Sequence, residues 1–134
     1  MGVKEVIKDG VILARYVPSD TCVEGLSFFS KATEFIQVGA WCYDSGRDLL
    51  PHIHNEVNRT INRTQELLYI RKGKILARIY DLNEILVEEL EASEGDALIL
   101  LNSGHGYKIL ENGTQVLEVK NGPYLGAEID RRRF

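Results

Sequence analysis

Along this chain, apolar and polar side chains alternate over runs of a few residues, with turn residues between them and little that sustains a helical period. Residues 4–7 and 11–16 are two such runs around Asp9-Gly10, a pair suited to the positive φ angles of a tight hairpin turn. Residues 25–29 and 34–43 follow, the second carrying Phe35, Ile36, Val38, Trp41 and Tyr43 and ending at the turn residues Asp44-Ser45-Gly46. Further on, 66–71 and 74–81 flank Lys72-Gly73 and read as a second hairpin, and Leu82-Asn83-Glu84 turns the chain into 85–90. The runs 97–101, 105–110 and 115–120 complete a set of eight to ten strands, with Glu111-Asn112-Gly113 a turn before the last. Strands at this spacing without crossover helices predict an all-β domain of antiparallel strands, a sandwich or a barrel such as the jelly roll.

Composition narrows what such a domain does. At 134 residues the chain is read as one domain, 1–134, with a barrel core at about 34–120. The net charge of −4 argues against a general nucleic-acid binder, despite the local run Arg131, Arg132 and Arg133. No apolar stretch approaches the roughly 18 to 20 residues of a membrane helix. Two cysteines, Cys22 and Cys42, are too few for a secreted disulfide framework, and no leader-like segment opens the chain, so a cytoplasmic protein with reduced thiols is expected. Asn58-Arg59-Thr60 and Asn62-Arg63-Thr64 fit glycosylation sequons formally, but without a secretory leader a polar loop is the reading.

The chemistry-bearing residues are the three histidines. His52 and His54 are separated by one residue, so on an extended strand both imidazoles face the same way, with Ile53 opposite. Glu66 starts a later strand and His105 follows the turn residues 102–104; a curled sheet would let all four converge.

These residues resemble a family pattern. Gly46, five residues, His52-Ile53-His54, then Glu66, six residues and Gly73 are similar to the first motif of the cupin superfamily, Gly-x5-His-x-His-x(3,4)-Glu-x6-Gly. The interval from His54 to Glu66 holds eleven residues, which places an inserted loop there. The second cupin motif, Gly-x5-Pro-x-Gly-x2-His-x3-Asn, has its nearest counterparts in Gly95-Asp96 and His105, with Leu101 at the Pro position and Ile109 at the final Asn position. The resemblance spans roughly residues 41–110 and implies a jelly-roll barrel in which His52, His54, Glu66 and His105 hold one divalent metal ion. Glu56, two residues past His54, is the rival carboxylate; Glu66 is preferred because residues 66–73 resemble the family's strand and Gly turn after its glutamate.

Three imidazoles and a carboxylate suit Fe, Mn, Ni, Co or Zn and leave positions open for a ligand. By alternation from His105, Tyr107 and Ile109 face inward, as do Leu68 and Ile70 from Glu66, while Tyr69 faces away. Tyr107 is the candidate catalytic group, although a core tyrosine with a bonded hydroxyl fits the same pattern. Arg59 and Arg63, on the loop after His54, are candidate binders of a carboxylate or phosphate, and a solvated loop is the alternative. Family resemblance implies a metal-dependent enzyme of isomerase, epimerase or dioxygenase type acting on a small polar or anionic metabolite such as a sugar derivative, or a non-catalytic ligand-binding or regulatory module. It also implies a homodimer, for which the apolar N-terminal hairpin with Val3, Val6, Ile7, Val11, Ile12 and Leu13 would serve.

Overall fold

A computed structural model describes residues 2–134. Asp9 and Gly10 take φ angles of 51° and 76°, the paired positive values that suit a two-residue hairpin. They join β1 (Lys4–Lys8) to β2 (Val11–Val17) in antiparallel register, as their sequence requires. The remaining strands are β3 (Gly25–Phe28), β4 (Gly39–Cys42), β5 (Glu66–Lys72), β6 (Lys74–Tyr80), β7 (Leu86–Ser93), β8 (Ala97–Leu100), β9 (Gly104–Ile109) and β10 (Gln115–Lys120), before the single-turn helix α1 (Ala127–Asp130).

The strands form three antiparallel sheets, ordered β1-β2-β8-β5-β10, β3-β4 and β7-β6-β9, none of which closes on itself. The molecule is therefore an all-β assembly of open sheets. The turn at Lys72-Gly73 is present, but β5 and β6 do not pair. Only Gly73 separates them, less than a hairpin loop needs, so the chain turns a corner there from the five-stranded to the three-stranded sheet. Gly73 takes a φ of 85°, and a side chain there would run into Thr114.

Those two sheets face each other across the main core. Leu13, Leu68, Ile70, Leu98 and Leu100 from one meet Ile75, Ala77, Ile79 and Ala92 from the other, all buried. Each large side chain so enclosed contributes about 1.5–3 kcal/mol. The opposite face of the five-stranded sheet is covered as well: Val17, Ile99 and Leu101 pack with Ile36, Phe29 and Val38. The expected strand at 34–43 is shortened accordingly. Gln65 Oε1 accepts the backbone N–H groups of Phe35 and Ile36 at 2.8 and 3.2 Å, which draws that stretch onto the sheet as an irregular cover and leaves only Gly39–Cys42 as strand.

Beneath this cover the Arg15 guanidinium is 4% exposed, donating to Glu34 and to Glu5, each at 2.8 Å. Among the described residues no helix is long and apolar enough to cross a membrane.

Candidate functional site

Glu66 opens β5 at the rim of the core and is 4% exposed. A carboxylate removed from water requires partners, and the opposite sheet supplies them. His105 and Tyr107 alternate along β9, opposite the buried Ile79 and Ala77 of β6. His105 Nε2 lies 2.8 Å from Glu66 Oε1, and the Tyr107 hydroxyl donates to the same oxygen at 3.2 Å. The two rings stack with centroids 5.6 Å apart. From the neighbouring strand, Lys120 stands in register with Glu66, its Nζ 3.7 Å from Oε2. Two positions earlier on the same face of β10 stands a second carboxyl, Glu118, in register with Leu68.

These contacts set the charges. Burial alone would push the Glu66 carboxyl up, but the hydrogen bond and charge of His105, the hydrogen bond from Glu118 and the charge of Lys120 outweigh it and hold the group below its ordinary value. Glu118 is pushed the other way, first by burial and then by its hydrogen bond to Glu66 and the charge there. Burial, followed by the Glu66 charge and hydrogen bond, drives the Tyr107 phenol far above its usual value. Tyr107 is thus a fixed donor, and Glu66 an ionised acceptor shared by His105 and Tyr107.

Of the residues expected at the site, Glu66, His105 and Tyr107 are brought together. His52 and His54 lie elsewhere, in a stretch where no strand forms: residues 43–65 contain neither strand nor helix, and every residue from 43 to 63 is exposed, Ile53 at 91%. The extended strand expected to align the two imidazoles is therefore absent. The rings nonetheless stand together, edge to face with centroids 4.9 Å apart. Glu56, Arg59 and Arg63 occupy the same exposed segment. Its return to β5 is tied down where the Asn121 side chain accepts the Gln65 N–H at 2.6 Å and donates to the Arg63 carbonyl at 3.2 Å.

The donor types suit a divalent ion in two halves. Adjacent ligands about 2.1 Å from one ion stand about 3.0 to 3.4 Å apart for right-angle to tetrahedral geometry, so His105 Nε2 and Glu66 Oε1, at 2.8 Å in a direct hydrogen-bonded pair, would have to part slightly to share one. Two imidazoles on one ion have centroids about 4.6 to 5.3 Å apart for right-angle to tetrahedral geometry, which brackets the His52–His54 spacing. The halves are not joined: among the described residues no group of three or more His, Cys, Asp or Glu side chains is placed to hold an ion.

Sequence reasoning missed Glu118 and Lys120. Alternation along residues 115–120 puts both on one face, but their placement beside Glu66 depends on the β5–β10 register, which no local pattern encodes. Ile109, expected inside, is 59% exposed at the end of β9. Comparison of the chain with protein-family models, with curated proteins and with solved structures finds no match.

Proposed function

We propose that the chain is a divalent-metal-binding domain of cupin type, a jelly roll whose ion is held by Glu66 and His105 and completed by His52 and His54. The observation that carries this reading is the convergence of Glu66, His105 and Tyr107 from two sheets onto one carboxylate. All three are residues that the motif resemblance and strand alternation single out for the metal and the reaction.

A physical route for the other two ligands exists. In the order β7-β6-β9, the outer edge of β9 carries no further strand among the described residues, and an open edge is a template for strand addition. Pro51-His52-Ile53-His54 alternates in side-chain character, and Glu56-Val57 resumes the alternation after the polar Asn55. Docked along β9 in suitable register, this stretch would turn His52 and His54 to the face that bears His105 and carry Arg59 with it, while the Arg63 backbone stays tied to Asn121.

An ion so held supplies Lewis acidity to a bound oxygen ligand. The chain's own residues would then orient a small polar or anionic metabolite, such as a sugar derivative, with Tyr107 donating a hydrogen bond and the arginines pairing with an anionic group. A second reading, a non-catalytic ligand-binding module, is favoured by the Tyr107 hydroxyl being already engaged by Glu66. Pairing as a homodimer through β1 belongs to the same proposal, since β1 is an outer strand with Ile7 and Val11 exposed beside it.

The test is elemental analysis and equilibrium dialysis of tag-free protein against Mn(II), Fe(II), Co(II), Ni(II) and Zn(II). One ion per chain is expected for at least one metal, with affinity falling about tenfold or more in each of His52→Ala, His54→Ala, His105→Ala and Glu66→Ala. Stoichiometric metal surviving all four changes, or no binding of any ion, overturns the reading. Glu56→Ala should bind normally. Oxygen-uptake and sugar-phosphate isomerisation assays on the loaded protein separate enzyme from binding module.

A further inference from the structure

Cys22 and Cys42 take no part in the site described above, yet the fold pairs them. Cys42 ends β4, opposite Gly25 at the start of β3, and Cys22 lies three residues before Gly25. Both are exposed free thiols, and their sulfurs stand 2.9 Å apart. A disulfide spans about 2.05 Å, so bonding needs less than about 1 Å of sulfur movement, within reach of small side-chain rotations.

We propose that Cys22 and Cys42 are a reversible dithiol–disulfide couple, a modification site that staples the β3–β4 hairpin, with a small-molecule disulfide such as glutathione disulfide as the oxidant. One cysteine thiolate attacks a sulfur of the oxidant, forming a mixed disulfide and expelling one glutathione thiolate. The second cysteine thiolate then attacks the protein sulfur of that mixed disulfide and expels the other glutathione. The Cys22–Cys42 bond forms, the oxidant's disulfide breaks, two electrons pass to glutathione, and the two cysteine protons end on the released thiols or in solvent.

The location gives the bond a purpose. β3 and β4 form a sheet of their own, with Leu26, Phe28 and Trp41 exposed, and an isolated two-stranded hairpin is marginal in water. A crosslink across a sequence separation of 20 restricts the unfolded chain and holds the hairpin's open end. It also fixes the root of the exposed segment that starts at Tyr43 and carries His52 and His54. The couple itself does not depend on the metal reading.

The experiment treats the fully reduced, full-length chain with glutathione disulfide and follows intact mass, a peptide map and the thermal unfolding midpoint. Expected are the loss of two hydrogens, a peptide linking Cys22 to Cys42, a midpoint raised by several degrees, and complete reversal by dithiothreitol. Cys22→Ser and Cys42→Ser should each stop at a single bound glutathione, with no rise in midpoint. Two glutathiones on the unsubstituted chain, disulfide-linked dimers in dilute solution, or a crosslink that leaves the midpoint unmoved overturns the proposal.

Discussion

The rim of the two facing sheets and the exposed segment 43–63 carry equal shares of the expected metal ligands, and the fold treats them differently. At the rim, Glu66 and His105 are fixed by the pleat of β5 and β9, by the registers on either side of them, and by the cost of leaving a buried carboxylate without partners. In the segment, His52 and His54 are exposed and stand edge to face with each other, and no sheet register constrains them. A rim assembled by burial stands by itself; a loop pair has little reason to hold one position until something binds it.

The sharpest way to break this contrast is to cut into both regions. Ile79, fully buried behind β9, should lose about 2–5 kcal/mol of stability as Ile79→Ala in urea unfolding. Ile53→Ala should change it by about 0.5 kcal/mol or less, because Ile53 is 91% exposed. A cost at Ile53 above about 1.5 kcal/mol would mean that the segment is packed in solution, and the contrast would fail.

Next in size is the effect of the ion itself. Amides of residues 48–62 should exchange with little protection in metal-free protein, since no helix or strand holds them. Adding the metal that binds tightest should slow residues 51–57 by about tenfold or more, while β6 and β8, already in the core, change little. Protection of the segment before any metal is added would place its order in the protein and not in the ion.

At the rim, Tyr107→Phe removes one hydrogen bond to Glu66 and should cost about 0.5–1.5 kcal/mol. The cost should shrink in a Glu66→Gln background, where the charged acceptor is gone; equal costs in both backgrounds would show that the hydroxyl does not act through Glu66.

The same contrast explains what was legible in the sequence. Asp9-Gly10 encodes its hairpin locally, because both residues tolerate the positive φ the turn demands. Leu68 and Ile70 could be assigned inward, and Tyr69 outward, from alternation alone. Gly73 was legible as a turn but not as a corner between sheets, since that distinction depends on which strands β5 and β6 later pair with. His105 and Tyr107 could be assigned to one face, whereas Lys120 and Glu118 became neighbours of Glu66 only through long-range register. Residues 34–38 look like strand by their apolar pattern, yet they lie as a cover because Gln65 takes their N–H groups.

The smallest effect is the most diagnostic of the rim's electrostatics, and its sign can be worked out. Glu118 is held above its ordinary value by burial and by Glu66, so its stabilising contribution is full below the unfolded value near 4.3 and is lost as pH rises through the folded one. Glu66 has the opposite sign: its contribution is present above its unfolded value and is lost as pH falls through the depressed folded one. Glu118→Gln keeps a donor beside Glu66 at every pH and removes the second negative charge. The variant should therefore match the unsubstituted protein in stability near pH 4 and exceed it at pH 7. Because the Glu118 side chain is 50% exposed, solvent screening limits the gain to less than about 1 kcal/mol. Urea midpoints measured across pH 4–7 read the difference directly. A gain that stays constant across that range would mean that the two carboxyls do not share a proton and that Glu66 draws its low value from His105 and Lys120 alone.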